Sequence, residues 1–413
     1  MIKEISTTCR ICNNKNLKEI INLGETTPAN NFISSDSLNI YEKYPLILDF
    51  CNKCFCLQLR HILDVDVLYK DYSYITPKSE SLSTQYQNIL NYLKKNFSSL
   101  ENMNVLEVGS NNGELLNFLK EHVGAVLGVD PAENIVSIAK EKGIDSVCNF
   151  FNKDSAKSIS SEREFKADII LARHMFAHNP RPGEILEGFK EIIKSSPDSI
   201  IMIENAYAID TFLNGEFDQV YHEHMFYYSI LSMKSLLDLH ELYLHDIFFS
   251  PIHGGSVVFV ASLNQRKIST LLSKTLKNEK ALFRDNKVLD DFKKSTLILK
   301  DTLSKYINNS VEKGLNIALY GAPAKSFTLL SFLNFDNTHI KFCVDTTPTK
   351  IGKVFPLLDI PIISEEELNR EQYDEILVGA WNYREEILRK SKKIFKPGTK
   401  LIFPLPNFEI IQV

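Results

Sequence analysis

Apolar residues in this chain gather in short continuous runs separated by longer stretches with helical spacing, and the two rhythms alternate. Runs at Asn104–Val108, 126–129, 167–171 and 199–203 are rich in Val, Ile and Leu, as strands buried on both faces require. Strand alternating with helix argues a parallel sheet with helices on both faces, and ligands there bind at the carboxyl ends of the strands. The rhythm restarts at 315–326 and continues in runs at 340–345 and 375–380. A helix is expected at 82–97, another at 229–240, a strand at 256–261 and a long charged amphipathic stretch at 263–315. The first 66 residues offer only short strands at 46–50 and 55–59, too few for a core of their own. The expected fold class is α/β: a small module (1–66), a Rossmann-like core (67–225) and a second Rossmann-like unit (226–413).

The first strand–turn–helix carries the clearest chemistry. Gly109 and Gly113 bracket a turn, Ser110, Asn111 and Asn112 lie between them, and Asp130 followed by Pro131 ends the next strand. Such a turn lets backbone N–H groups approach a ligand, and the acid at the strand tip can bind both hydroxyls of a ribose. A dinucleotide site needs G-x-G-x-x-G, so that a pyrophosphate meets the helix N-terminus. Here the middle glycine is missing and Glu107 precedes the turn, which disfavours a diphosphate and suits a cationic ligand. By topology, Phe150 and Phe151, and after them Asn149, are candidates to cover the base of that nucleoside. A Rossmann-like turn holding some other nucleotide is the plain alternative.

The net charge of −5 and the pI near 6.1 provide no basic field for a phosphate backbone, so nucleic acid is excluded as partner. The charged Met-Ile-Lys-Glu start is unlike a signal peptide, and no run approaches the ~18 apolar residues of a membrane span. A cytoplasmic protein is expected. In such a reducing setting Cys9-Arg-Ile-Cys12 and Cys51-Asn-Lys-Cys54 read as two knuckles that together complete a closed structural zinc site. Cys56 could take the place of Cys54. Cys148 and Cys343 read as core residues.

Titratable groups crowd into Tyr221-His222-Glu223-His224, with His174 and His178 at i and i+4 after the fourth strand and His253 in a His-Gly-Gly-Ser run. A histidine with a carboxylate close by can act as a general base near neutral pH. His-Glu-His also suggests a metal, yet the H-E-x-x-H spacing is absent and no third ligand is evident.

The zinc knuckles, Leu23-Gly24 and Pro28-Ala29-Asn30, Tyr72-Ser-Tyr74, the Glu107 to Gly113 turn, Tyr-His-Glu-His, His-Gly-Gly-Ser, Tyr320-Gly-Ala-Pro-Ala-Lys325 and Ala380-Trp-Asn382 follow one another in a familiar order. Over essentially its whole length the chain resembles the nucleotide-sugar C-methyltransferases, which place a methyl branch on 4-keto-6-deoxy sugars, and E-V-G-x-x-x-G resembles motif I of class I methyltransferases. The resemblance implies S-adenosylmethionine as cofactor, structural zinc, and an NDP-linked sugar, dTDP foremost, methylated at C3 or C5. His224 would remove the proton beside the ketone, Glu223 would orient it, and Tyr221 would hydrogen-bond the sugar. His178, Tyr74 and Tyr72 match family residues near the sugar, as does the loop of His253, Gly254 and Gly255, and His174 stands at a further sugar-binding position. Lys325, Ser326, Asp345, Lys350, Trp381 and Asn382 would hold the nucleotide diphosphate. Two departures stand out: His174 replaces a common Asn, and Phe355-Pro-Leu-Leu358 replaces a Pro-Gly turn. The enzyme is expected to be monomeric. Methyl transfer to oxygen or nitrogen, and a non-catalytic nucleotide-binding scaffold, are the competing readings.

Overall fold

A computed structural model describes residues 1–34, 41–64, 67–68, 75–76, 79–196, 198–369 and 372–413. Tyr72 and Tyr74 lie outside the described residues, as does residue 66 at the expected first boundary.

The core is a seven-stranded sheet. Numbered along the chain, its strands are Asn104–Val108, Ala125–Asp130, Ser146–Cys148, Ile169–Arg173, Ile200–Ala206, Tyr243–Ser250 and Ser256–Ser262. Their spatial order is 3-2-1-4-5-7-6. The first five run parallel and the seventh lies antiparallel between the fifth and sixth. This is the class I methyltransferase topology. The order reverses between strands 1 and 4, so their carboxyl ends diverge and open the crevice in which such sheets bind ligands.

The turn after strand 1 shows why glycine is needed. Gly109 has φ +71, and a Cβ there would sit 2.6 Å from Cβ and Cγ of Met175, on the loop after strand 4. The two loops that flank the crevice can approach only because that side chain is missing. On the sheet's flank, helix Glu80–Asn96 is capped by Ser79, whose side chain accepts from Leu82 N, and it buries Leu82, Tyr86, Ile89, Leu90 and Leu93.

Strands 6 and 7 of this sheet come from beyond the expected boundary at 225/226. Only with them is strand 5 paired on both sides. The remaining sheets cross the expected boundaries as well. Phe226–Tyr227 pairs with Leu57–Leu59 as the edge of the N-terminal four-stranded sheet, and Ile33–Ser34 pairs with Lys353–Phe355 as the last strand of the eight-stranded C-terminal sheet. In that sheet Ile317–Tyr320 lies between Cys343–Val344 and Glu375–Val378, all parallel, as a second Rossmann-like unit requires.

The amphipathic stretch forms two helices, Thr270–Leu282 and Lys287–Glu312. The second buries Val288, Leu289, Phe292, Leu299, Leu303 and Ile307, a stripe at helical spacing. Glu279, on the first, is buried but fully engaged: it accepts from Tyr207 Oη at 2.7 Å and from the N–H groups of Ile230 and Leu231 at 2.8 Å, at the start of the earlier helix Ile230–Leu239. Cys343 is a core residue as expected. Cys148 is exposed, its sulfur 3.5 Å from the Pro131 carbonyl at the mouth of the crevice.

Candidate active site

The crevice holds a cavity of about 370 Å³ lined by Glu107 to Asn111, Asp130 to Ala132, Asn149 to Phe151, Arg173 to Met175, His178 and His253. That is the lower end of the range for small-molecule sites. Asp130 is buried at the tip of strand 2 and accepts from Asn111 N and Ala132 N, both at 3.0 Å; burial raises its carboxyl above the usual range. Asn111 Oδ1 accepts from Thr76 N, and Asn112 Nδ2 donates to Thr76 O, so the two asparagines pin Thr76 to the turn. Asn112 and Gly113 shape the turn without lining the cavity. Phe151 is a core residue packed on Phe189, whereas Phe150 is 53% exposed at the rim and free to cover a planar group.

Glu107 is pushed up to about 8, chiefly by burial, with Asp130 and Glu204 adding repulsion and Arg173 opposing it. Its Oε2 is buried without a hydrogen-bond partner among the described residues. Ser110 Oγ is in the same state. A cavity with an orphaned acid, an orphaned hydroxyl and a ribose-type aspartate fits an adenosyl group bearing positive charge. Arg173 and Glu204 form a buried ion pair at 2.6 Å, completed by Gln85 Nε2 at 2.6 Å and by the Tyr86 ring under the guanidinium. Charged residues closing two apolar strands were the sequence signal for this pair, and it was overlooked.

Histidines gather on the far side. His174 and His253 stand edge to face at 4.5 Å, both with positive φ, +50 and +56. Backbone strain of this kind concentrates at functional sites. His178 and His224 lie 5.0 Å apart. Burial lowers His174 to about 3 and His178 to about 4, and holds His224 and His253 well below the usual imidazole range. All four are therefore neutral at pH 7.

His224 is held at both nitrogens. Nδ1 donates to the Gln219 carbonyl at 3.2 Å, which fixes the tautomer, and Nε2 accepts from Tyr221 Oη at 2.6 Å. The expected partner, Glu223, points elsewhere: its Oε1 accepts from Asn30 Nδ2 at 3.1 Å, in the zinc module. His222 is buried against Tyr44. Gln219 was missed, although it also fixes the His-Gly-Gly-Ser loop by donating Nε2 to the His253 carbonyl at 2.7 Å. In that loop Gly255 has φ +123, and a Cβ there would meet Asp210 Oδ2 at 2.5 Å.

In the second unit Lys325 and Trp381 come together, the ammonium 4.1 Å over the indole. Trp381 Nε1 donates to Asp218 at 2.6 Å. Burial raises Asp218 to about 6 and Glu216 to about 7, and Lys325 is shifted downward by burial while these two acids hold its charge. Among the described residues the Lys325 ammonium is buried with no hydrogen-bond partner, so only the field of the two acids steadies its charge. Ser326, Asp345 and Lys350 knit the turn after strand Ile317–Tyr320: Ser326 Oγ donates to Gly321 O, Asp345 accepts from Ala322 N and Thr347 N, and Lys350 donates to Ala322 O. Asp345 thereby repeats the backbone geometry of Asp130. Asn382 Oδ1 is buried with no hydrogen-bond partner among the described residues.

The sulfurs of Cys9, Cys12, Cys51 and Cys54 all lie within 4.8 Å of one another, with Cys9–Cys54 and Cys12–Cys51 at 3.5 Å. A tetrahedral zinc with bonds of about 2.3 Å needs sulfurs roughly 3.8 Å apart, so the set fits the ion. Cys56 turns to the Leu57 carbonyl. The cluster is nearly shut from solvent, as a structural site should be. Among the described residues no helix is long and apolar enough to cross a membrane.

Three family models match along the chain: "Putative zinc binding domain" at residues 9–69, "Methyltransferase domain" at 80–246 and "C-methyltransferase C-terminal domain" at 251–406. The C-methyltransferase NovU of Streptomyces niveus is 28% identical over 408 residues, 98% of this chain and 96% of that protein. A ubiquinone biosynthesis O-methyltransferase of Hydrogenovibrio crunogenus is 31% identical over 101 residues, 24% of this chain and 42% of its own length. Among solved structures, magnesium protoporphyrin IX methyltransferase of Synechocystis is 12% identical, with 45% of this chain and 84% of that one covered at a TM-score of 0.36.

Proposed function

Because the chain belongs to the S-adenosylmethionine-dependent C-methyltransferases built from these three domains, we propose that its acceptor is the carbon beside the ketone of an NDP-linked 4-keto-6-deoxy sugar. The single observation that supports this acceptor most is the tautomer-fixed, neutral His224 beside Tyr221. A ring carbon is not nucleophilic until its proton is removed, and the ketone makes that proton acidic enough for an aligned imidazole. S-adenosylmethionine supplies an electrophilic methyl group when bound. Glu107 and Asp130 would hold it, and Phe150 at the rim would pack on its adenine. Nε2 of His224 takes the proton, and the hydroxyl of Tyr221, released from Nε2, donates to the enolate oxygen as charge develops there. His178 and the His174–His253 pair line the sugar. Trp381 and Asn382 contact the nucleotide, and the Lys325–Asp218–Glu216 group stands beside it. On this reading the enzyme works as a cytoplasmic monomer.

Incubating dTDP-4-keto-6-deoxyglucose with enzyme in deuterated water, without methyl donor, tests the acceptor. Deuterium enters at C3 or C5 if the base forms an enolate. No exchange, with methyl later found on oxygen, would assign the chain to O-transfer instead.

Glu107 gives the donor site a pH signature. Its proton must leave before the acid can face a cation, so donor affinity rises about tenfold per unit from pH 6 to 7 and levels off above pH 8. Without ligand the sign is opposite. The folded pKa is raised above the unfolded value, so the stability this group contributes is present at low pH and lost as pH climbs toward 8. Glu107→Gln should therefore flatten the calorimetric affinity profile and, at pH 8, raise the melting temperature of the ligand-free protein.

A further inference from the structure

The zinc knuckle reaches the base through one peptide unit. Met225, next after His224, donates its N–H to the Ala177 carbonyl at 2.9 Å, one residue before His178. Its own carbonyl accepts twice, from Leu59 N at 3.0 Å and from Arg10 Nη2 at 3.1 Å. Arg10 stands between the zinc ligands Cys9 and Cys12. Its Nη2 also donates to the Leu59 carbonyl at 2.8 Å, and its guanidinium lies 4.3 Å over the Phe226 ring. Gln58 steadies the knuckle from behind: it accepts from Arg10 N at 2.9 Å and donates to Thr8 O at 3.1 Å.

This is a costly way to fill space. Nε and Nη1 of Arg10 are buried with no hydrogen-bond partner among the described residues, and burying unpaired polar atoms is unfavourable. An apolar side chain would pack there without that penalty. What it could not do is fasten two carbonyls from different segments to the metal-bound turn.

We propose that Arg10 is a positioning residue for methyl transfer: by fastening the Met225 carbonyl to the zinc knuckle it sets the place of His224 relative to His178 and the donor cavity. The proposal rests on the reading of His224 as the base.

Full-length, zinc-loaded Arg10→Lys and Arg10→Met variants test it, with dTDP-4-keto-6-deoxyglucose as acceptor and S-adenosylmethionine as donor. Zinc content and calorimetric donor affinity stay as in the unaltered protein. In Arg10→Met kcat falls by up to about 10²-fold with KM unchanged, the size expected when a catalytic group is misplaced by about an ångström. Arg10→Lys, which keeps the charge and one donor, recovers part of the loss. Backbone hydrogen exchange quickens across residues 219–228 and not across 104–131. Unchanged kcat and unchanged exchange at 219–228 in both variants would overturn the proposal. So would zinc loss with faster exchange along the whole chain, which would make Arg10 a folding residue only. If the unaltered protein leaves this acceptor unmethylated, the acceptor assignment fails, and the exchange measurement still decides the role of Arg10.

Discussion

Replacing His224 by Asn lowers methyl transfer by about 10³-fold, within the span that general-base removal usually produces, and leaves the affinity for S-adenosylmethionine within about twofold. The reason is geometric. His224 does not line the donor cavity, and its two nitrogens are engaged by Tyr221 and the Gln219 carbonyl, so an amide of similar reach can keep the loop in place while being unable to accept a proton. Donor affinity by calorimetry and turnover by methyl release measure the two halves. A variant that still turned over at the original rate would take His224 out of the chemistry. Glu223→Gln provides the contrast, because that carboxylate meets Asn30 and not the imidazole; its effect should fall on the seating of the zinc module and be much smaller on the rate.

Removing the metal is the second large effect. Stripping zinc with a chelator, or exchanging Cys9 and Cys54 for Ser, should take turnover to background, while donor affinity changes by no more than about threefold. Structural zinc contributes about 10–16 kcal/mol of apparent binding energy to small modules, more than this module's few strands can replace. The module carries the strand partner of Phe226–Tyr227, close after His224, the proposed base, whereas the proposed donor cavity is built from the central sheet and its loops. Turnover and donor binding should therefore part company on chelation, and readdition of zinc should restore the first. Donor binding lost in step with turnover would show that the two halves do not stand apart.

The turn proposed to hold the donor could be read from the sequence because its constraints are local. Gly109 needs a positive φ and room for Met175, Asp130 needs the end of a strand, and Glu107 needs only to precede the turn. The zinc set was legible for the same reason, since two short knuckles fix their own geometry. What failed depends on distant partners. Glu223 is adjacent to His224 in sequence, but a loop does not reveal which way neighbours point, and Asn30 claims it. Strand Tyr243–Ser250 mixes His245 and Asp246 among apolar residues and so lacked the pattern of a buried strand; its place comes from pairing with Ser256–Ser262.

The sheet edges bear on how such enzymes can be recombined. Residues near the N-terminus complete the C-terminal sheet at Ile33–Ser34, and the segment after His224 completes the N-terminal sheet at Phe226–Tyr227. A chimera that took one unit from a relative, to graft a new acceptor preference, would leave two sheets with raw, unpaired borders open to association with other chains. Exchange among relatives should succeed only when all three units travel as a block.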